Sequence, residues 1–413
     1  MPALVHGVAL RGAPAWKYGF NLPRLASFPL IVAVRFVINV SLRMSYTFLP
    51  AFALGSGLSL EATSTTLSAR ELTALSAPRI GRTSDRIGPM TVMTWGGLAA
   101  AVGLMVAMFG ATGFVIGMIV LGFGRTAHQV AMNAWVGNQV RYENRGQVTG
   151  LIELTWGGAA LVGLPVVGLL IERTDWRVPL GLLALGAFGF TLRFRHHRRA
   201  EAPEVAVQSR KPNMTRDAVG AIATNAAMTG AAQFLFLGHG LWLKDTYGLD
   251  TAEIGFAVLA VGFVEVIATL GSSRLTDRLG KRRSVLAGLA VMIAMMATLA
   301  IEASPPLAVG LAVLVVAFLG FEFGIVSAIP LISELDPDAR AQMVGRAYSV
   351  STMIRAIVTL IATAIYINRG FAAMMAVAAV TGLVALALAS LVMVEPGRSV
   401  GSGGTDGSRT SLA

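Results

Sequence analysis

The sequence predicts an all-α membrane protein with twelve transmembrane helices arranged as two pseudo-symmetric six-helix bundles. Three observations carry this reading. First, 55% of the 413 residues are hydrophobic and only 13% are charged, with a mean hydropathy of +0.68, whereas soluble domains carry about 25% charged residues. Second, residues 90–110, 284–301 and 371–394 are free of charge, and each run approaches or exceeds the roughly 17–25 residues needed to cross a hydrocarbon core. Third, short motifs recur at half-chain spacing. GRTSDRIG at 81–88 is echoed by SRLTDRLG at 273–280, and RGQVTG at 145–150 by RAQMVG at 340–345, offsets of 192 and 195 positions. Repeats of this kind divide the chain into two related units.

The elements follow in order. Residues 1–26 carry Arg11, Lys17 and Arg24 without an apolar stretch and cleavage site, and read as a retained cytoplasmic tail rather than a signal peptide. The N-terminal bundle is expected over 27–194, with spans at 27–53, 59–80, 90–110, 113–136, 147–171 and 178–194. In the first span, Arg35, Asn39, Arg43 and Tyr46 recur at helical spacing and form one stripe. The second span is the most polar, with Glu61, Arg70, Glu71 and Arg79 among serines and threonines. Charge distribution retains it: without it the basic loop at 79–86 would lie outside, and every later loop would invert. The fourth span places Arg125, His128 and Met132 on one face, and the fifth carries Glu153. A basic, proline-containing cytoplasmic linker is expected over 195–215.

The C-terminal bundle is expected over 216–394, with spans at 216–242, 253–273, 284–302, 307–329, 342–367 and 371–394. The seventh span aligns Asn225, Thr229 and Gln233, and the eleventh aligns Tyr348, Ser351, Thr352, Arg355 and Thr359. Glu265 falls in the eighth span and Glu322 in the tenth. The tail 395–413 is short, rich in Gly and Ser, and expected to be disordered. Taking the N-terminus as inside, 24 of the 33 Lys and Arg fall in inner segments, against four outside, at Arg173, Arg177, Lys244 and Arg369. This asymmetry sets both termini in the cytoplasm of a cell (plasma or inner) membrane. It also accounts for the net charge of +11 without a nucleic-acid partner.

The interiors of the third, sixth, ninth and twelfth spans carry no charge. Every third helix is therefore expected at the periphery, and the other eight around a polar centre, because an unpaired charge facing lipid is costly. Substrate-cavity candidates are Arg43, Tyr46, Arg70, Arg125, His128, Asn225, Gln233 and Arg355. Glu71, Glu322, Glu265 and Glu153 are the candidate proton carriers, since burial raises a carboxyl pKa and a nearby arginine lowers it. Glu153 is also placed to pair with a loop arginine. Successive helical residues point about 100° apart, so Arg70 is expected to face the cavity while Glu71 turns to a neighbouring helix or to the seam between halves, giving two separate contacts.

Cysteine is absent, which removes disulfides, thiol catalysis and cysteine metal sites. Neither GxxxxGK[ST] nor HExxH occurs. The chain is thus expected to be no enzyme, to hold no cofactor or metal, and to draw energy from gradients.

These features resemble the major facilitator superfamily of secondary transporters over essentially the whole chain. Gly81, Asp85, Arg86 and Gly88 match that family's loop motif G-x-x-x-D-R-x-G. Pro89 and Met90 replace the basic residues that usually follow. The second copy keeps Asp277 and Arg278 but has Ser273 at the first glycine. GLPVVG at 163–168 looks like a loosened antiporter motif of helix five, and Trp176-Arg177 is also similar to the family pattern. The resemblance implies two bundles rocking about a midplane site in alternating access. It also implies a gate in which, in the inward-closed state, Asp85 sits near the start of helix eleven and Arg141 or Arg145.

The function expected is gradient-driven, proton-coupled transport of a small organic solute by a monomer. Export is favoured by the helix-five motif. Five intramembrane arginines against four glutamates favour an anionic or zwitterionic solute. The alternatives are a flippase for a lipid or lipid-linked precursor, and a non-transporting membrane sensor or assembly protein.

Overall fold

A computed structural model describes residues 27–140, 145–197, 213–336 and 339–393. Among these residues every regular element is helical. This is the only open-chain architecture that satisfies the backbone within lipid. The helices are α1 (Phe28–Thr47), α2 (Leu49–Ser56), α3 (Leu60–Leu72), α4 (Ala77–Ile87), α5 (Pro89–Val106), α6 (Gly110–Gln139) and α7 (Arg145–Gly158). They continue as α8 (Leu164–Arg173), α9 (Arg177–His197), α10 (Arg216–Tyr247), α11 (Thr251–Leu279), α12 (Lys281–Ile301), α13 (Leu307–Glu334) and α14 (Arg340–Val392).

Among the described residues, ten helical stretches are long and apolar enough to cross a membrane. The last of these, Gln342–Val392, is 51 residues long and is broken at Gly370 (φ 79°, ψ −177°), a conformation open essentially to glycine alone. The chain folds back there. Along α10, residues 225 and 233 bond to 351 and 359 of the first limb. Gly220, Gly230 and Gly238 pack on Val392, Thr381 and Met374 of the second, so that limb runs antiparallel to α10.

The polar second span expected from sequence is not among the ten. It is three pieces: α3, a 3₁₀ turn over Thr73–Ser76, and α4, with Pro78 in the first turn of α4. The loop motif also needs correction, because Gly81, Asp85 and Arg86 are helical residues of α4. The chain leaves helix only at Gly88 (φ 87°, ψ 140°), directly before Pro89. Gly81 alone weakens the helix between Arg79 and Ile87, by about 1 kcal/mol, and α4 runs on past it to Gly88. In the second copy Asp277 and Arg278 are likewise on α11, and Gly280 (φ 91°, ψ 145°) makes the same turn.

A third repeat emerges from the backbone. Gly57 (φ 78°) ends α2 and Ser59 caps α3 by accepting from Ala62 N. Gly248 (φ 69°) ends α10 and Asp250 caps α11 by accepting from Glu253 N. A left-handed glycine followed two residues later by an N-cap is a helix-turn-helix signal. It recurs here at an offset of 191 positions.

Close packing repeats as well. A Cβ at Gly96 would strike His128 N and Gly124 O across α5 and α6, and one at Gly288 would strike Gly320 O and Gly324 across α12 and α13. Small residues let these backbones touch.

We call the end that holds Phe28, Arg216 and Val392 the near end. There Phe28 stacks on Trp135 at 6.3 Å, and Gly220 packs on Val392. At the far end the two halves of the chain are clamped together. Thr47 Oγ1 meets His239 Nε2 at 3.1 Å, Thr363 donates to Ser64 at 2.7 Å, and Thr251 N donates to Glu172 at 3.2 Å. Gly168, Pro165 and Leu161 on the α7–α8 rod pack against Thr251, Gly255 and Gly262 of α11. A π turn over Ala159–Gly163 precedes Pro165, which has no N–H to offer an α-helical ladder.

Candidate functional site

The polar stripes meet where the halves touch, in two centres. The first is built on Glu71, which is fully buried. Its Oε1 accepts from Tyr46 Oη and from Arg70 Nη2, both at 3.0 Å, and its Oε2 accepts from Arg125 Nη1 at 2.7 Å. Arg355 Nη2 lies 3.9 Å from Oε1 and belongs to the other half. Arg70 Nη1 also donates to Ser45 at 2.5 Å. Arg355 Nε donates to Gln233, whose own amide donates to Thr359. Three guanidiniums thus surround one carboxylate, and the cluster carries an excess of two positive charges.

The second centre reverses the sign. Arg43 Nη1 donates to Glu265 Oε2 at 2.5 Å and to Trp156 O at 3.3 Å, and its guanidinium sits 4.8 Å from the Trp156 ring. Glu265 is fully buried, and its Oε1 has no partner. Glu322, 7% exposed, contacts Thr269 Oγ1 at 3.1 Å. Thr269 stands one turn beyond Glu265 on α11 and donates to the Glu265 carbonyl at 2.9 Å. Two carboxylates thus lie in one centre, and only Glu265 is paired with its arginine.

The expected separation of Arg70 and Glu71 does not hold. The Cα–Cβ bonds diverge, but the arginine side chain is long enough to wrap back and pair with its neighbour's carboxylate. Glu71, not Arg70, is the hub, and it faces the seam.

The eight cavity candidates are shared out. Tyr46, Arg70, Arg125, Gln233 and Arg355 belong to the Glu71 centre, and Arg43 belongs to the other. Asn225 Nδ2 donates to Ser351 at 2.8 Å, about two turns from the Gln233–Thr359 bond towards the near end. His128 is buried and its Nδ1 has no partner. Glu153 is half-buried, and among the described residues it forms no ion pair, so the expected loop arginine is not found there.

Of the gate residues, Asp85 and Arg86 are exposed, as is Arg278, and Gly81 and Gly88 are half-buried. Asp85 makes no hydrogen bond or ion pair among the described residues, and the side chains of Arg340 and Ala341 at the start of α14 lie outside them. Arg141 lies outside the described residues, as do the side chains of Arg145 and Asp277. Two clefts, of about 340 and 620 Å³, open at the far end. None of the cavity candidates lines either, so the buried charges and the clefts are separate features.

Sequence reasoning missed Ser45 and Thr269. Ser45 sits off the Arg35–Tyr46 stripe and carries no sequence signal. Thr269 was findable, being four residues from Glu265 and hence on the same face.

Long apolar helices closing over paired charges at the seam between two repeated halves define an integral membrane protein of the secondary-transporter class. A family model described as Major Facilitator Superfamily matches residues 31–335 and, in a second match, 222–413; the chain belongs to this superfamily of transporters. It is also similar to a Bacillus subtilis (strain 168) protein named uncharacterized MFS-type transporter YceJ. The two are 26% identical over 275 residues, 64% of this chain and 65% of the relative.

Proposed function

We propose that this transporter couples the movement of a small anionic or zwitterionic organic solute to protons, as an exporter. It would act as a monomer in the plasma or inner membrane, with both termini in the cytoplasm. The observation that carries this reading is the acidic centre, where Glu265 pairs with Arg43, Glu322 is joined to the same stretch of α11 through Thr269, and no second arginine pairs with either carboxylate among the described residues. Two ionised carboxylates with one arginine leave a net negative charge in a water-poor interior, which is costly. One bound proton neutralises the set.

The Thr269 hydroxyl supports this placement. Its one proton faces at least two acceptors, the Glu265 carbonyl at 2.9 Å and Glu322 Oε1 at 3.1 Å. Serving both at full strength takes a proton on Glu322. Arg43 comes from one half and Glu265 from the other, so a change in proton occupancy acts on a bond between the halves. That is what coupling to alternating access needs.

The test is a two-stage one. A thermal-shift screen of metabolites on the purified protein first identifies a solute. Proteoliposomes with an imposed pH gradient then measure its uptake. Glu322→Gln is expected to bind the solute but to lose gradient-driven accumulation. If Glu322→Gln and Glu71→Gln both keep it, neither carboxylate carries the proton.

A further inference from the structure

Several buried N–H groups on the near-end side of the Glu71 centre have nothing to bond to. Arg35 Nε and Nη1 and Arg125 Nε are buried without a hydrogen-bond partner, and His128 Nδ1 lies buried and unpartnered among them. Arg35 is 7% exposed, Arg125 5% and His128 2%. Arg35 makes no hydrogen bond or ion pair among the described residues. Arg125, His128, Tyr348 and Glu153 are all within its electrostatic reach, yet Glu153 forms no ion pair with it. Buried polar groups are bonded in the great majority of cases, and unpaired charged donors are among the most expensive exceptions.

The neighbouring acceptor is fixed by logic. Thr155 Oγ1 donates its only proton to Ile152 O at 2.6 Å, so it must accept from Asn39 Nδ2 at 2.8 Å. That orients the Asn39 amide and leaves its Oδ1 free and buried. Asn39 lies one turn from Arg35 on the same face of α1. The Tyr348 ring, from the other half, lies 5.7 Å from the Arg125 guanidinium.

We propose that Arg35, Arg125 and His128 bind the oxyanion head of the solute, a carboxylate or a phosphate-type group, while Asn39 Oδ1 accepts from a hydroxyl or ammonium group on the same molecule. The guanidinium fork matches the two oxygens of such a head. Arg125 would hold the ligand through Nε while its Nη1 stays on Glu71, which in turn faces Arg355 across the seam. Ligand charge is therefore felt at the contact between the halves. This assignment rests on the transporter reading above and names the solute class for it.

The experiment uses the full chain in phosphatidylcholine nanodiscs with no pH gradient, so its failure is read separately from a failure of proton coupling. Lactate, propionate and inorganic phosphate are titrated calorimetrically against choline chloride at matched ionic strength. Saturable binding of at least one oxyanion is expected, with lactate tighter than propionate if carboxylates are taken. Arg35→Gln should weaken that binding about tenfold or more, and Arg35→Lys less. Without ligand, Arg35→Gln should be at least as thermostable as the parent, because it removes a buried, unpaired charge; that readout separates lost recognition from lost folding. The inference is overturned if no probe binds above chloride, or if Arg35→Gln binds as the parent does. Equal affinity for lactate and propionate overturns the role of Asn39. Loss of probe binding in phosphatidylglycerol nanodiscs would assign the site to a lipid headgroup and overturn a soluble solute.

Discussion

At the scale of residues, the two charge centres differ in what each can lose. Glu71 is the carboxylate among Arg70, Arg125 and Arg355. Glu71→Gln leaves these guanidiniums without their counter-charge, and breaking a buried pair from one side costs roughly 3–5 kcal/mol. A clear drop in thermal midpoint is expected, and no drop would remove Glu71 as the hub. The Arg43–Glu265 pair behaves differently when both sides go. Arg43→Met and Glu265→Met should each destabilise, while the double variant should recover most of the loss, since an apolar pair replaces an ionic one without a stranded charge. A double-mutant cycle by denaturation reads this directly; strictly additive losses would mean that the two do not interact. The sequence allowed four glutamates to be named as candidates but could not rank them. Ranking depends on how many arginines each meets, and those arginines lie up to 284 positions away, as with Glu71 and Arg355.

At the scale of elements, glycine position decides how near two helices come. Gly96 and Gly288 each sit where a Cβ would meet the backbone of the facing helix, whereas Gly189 in α9 has open space around it. Gly96→Leu and Gly288→Leu should cost about 1–3 kcal/mol or more through overpacking. Gly189→Ala should be neutral or stabilising by up to about 1 kcal/mol, from helix propensity alone. Thermal melts of the three variants in one detergent check the contrast, and equal effects would refute it. The expected span ends at 53 and 242 stop short of the helix ends at Gly57 and Gly248, because the apolar run gives out before the backbone turns at glycine. Element limits were also misread at 81–87, where polar side chains pass for a loop. A helix end is fixed by backbone geometry, here Gly88 with Pro89 behind it, not by polarity.

At the scale of the whole molecule, the halves are held together at the far end by the Ser64–Thr363, Thr47–His239 and Thr251–Glu172 hydrogen bonds and by the small-residue seam of the α7–α8 rod with α11. Near the other end, Asp85, Arg86 and Arg278 are exposed. A chain with no cysteine lets this be tested simply. Ser64 and Thr363 place their oxygens 2.7 Å apart across the seam, within the reach of a disulfide after modest adjustment. The Ser64→Cys/Thr363→Cys variant should cross-link under mild oxidation, and transport should stop until a reductant is added. Transport that continues in the cross-linked protein would show that the far end need not open.

The sequence by itself determined the class of this protein. Composition, run length and repeated motifs follow from local demands of the bilayer on each segment, and each can be read without knowing its neighbours. It also identified nearly every charge that matters, because a buried charge in an apolar run is conspicuous. Only the tertiary structure decided the partners. Arg70 wraps back onto Glu71, Arg43 crosses to Glu265, and Arg35 is left with its donors open, because each outcome depends on which helix from the distant half lies opposite. Helical spacing gives a direction on one rod. The pairing energy belongs to two rods at once, and their placement is settled by the packing of the whole bundle.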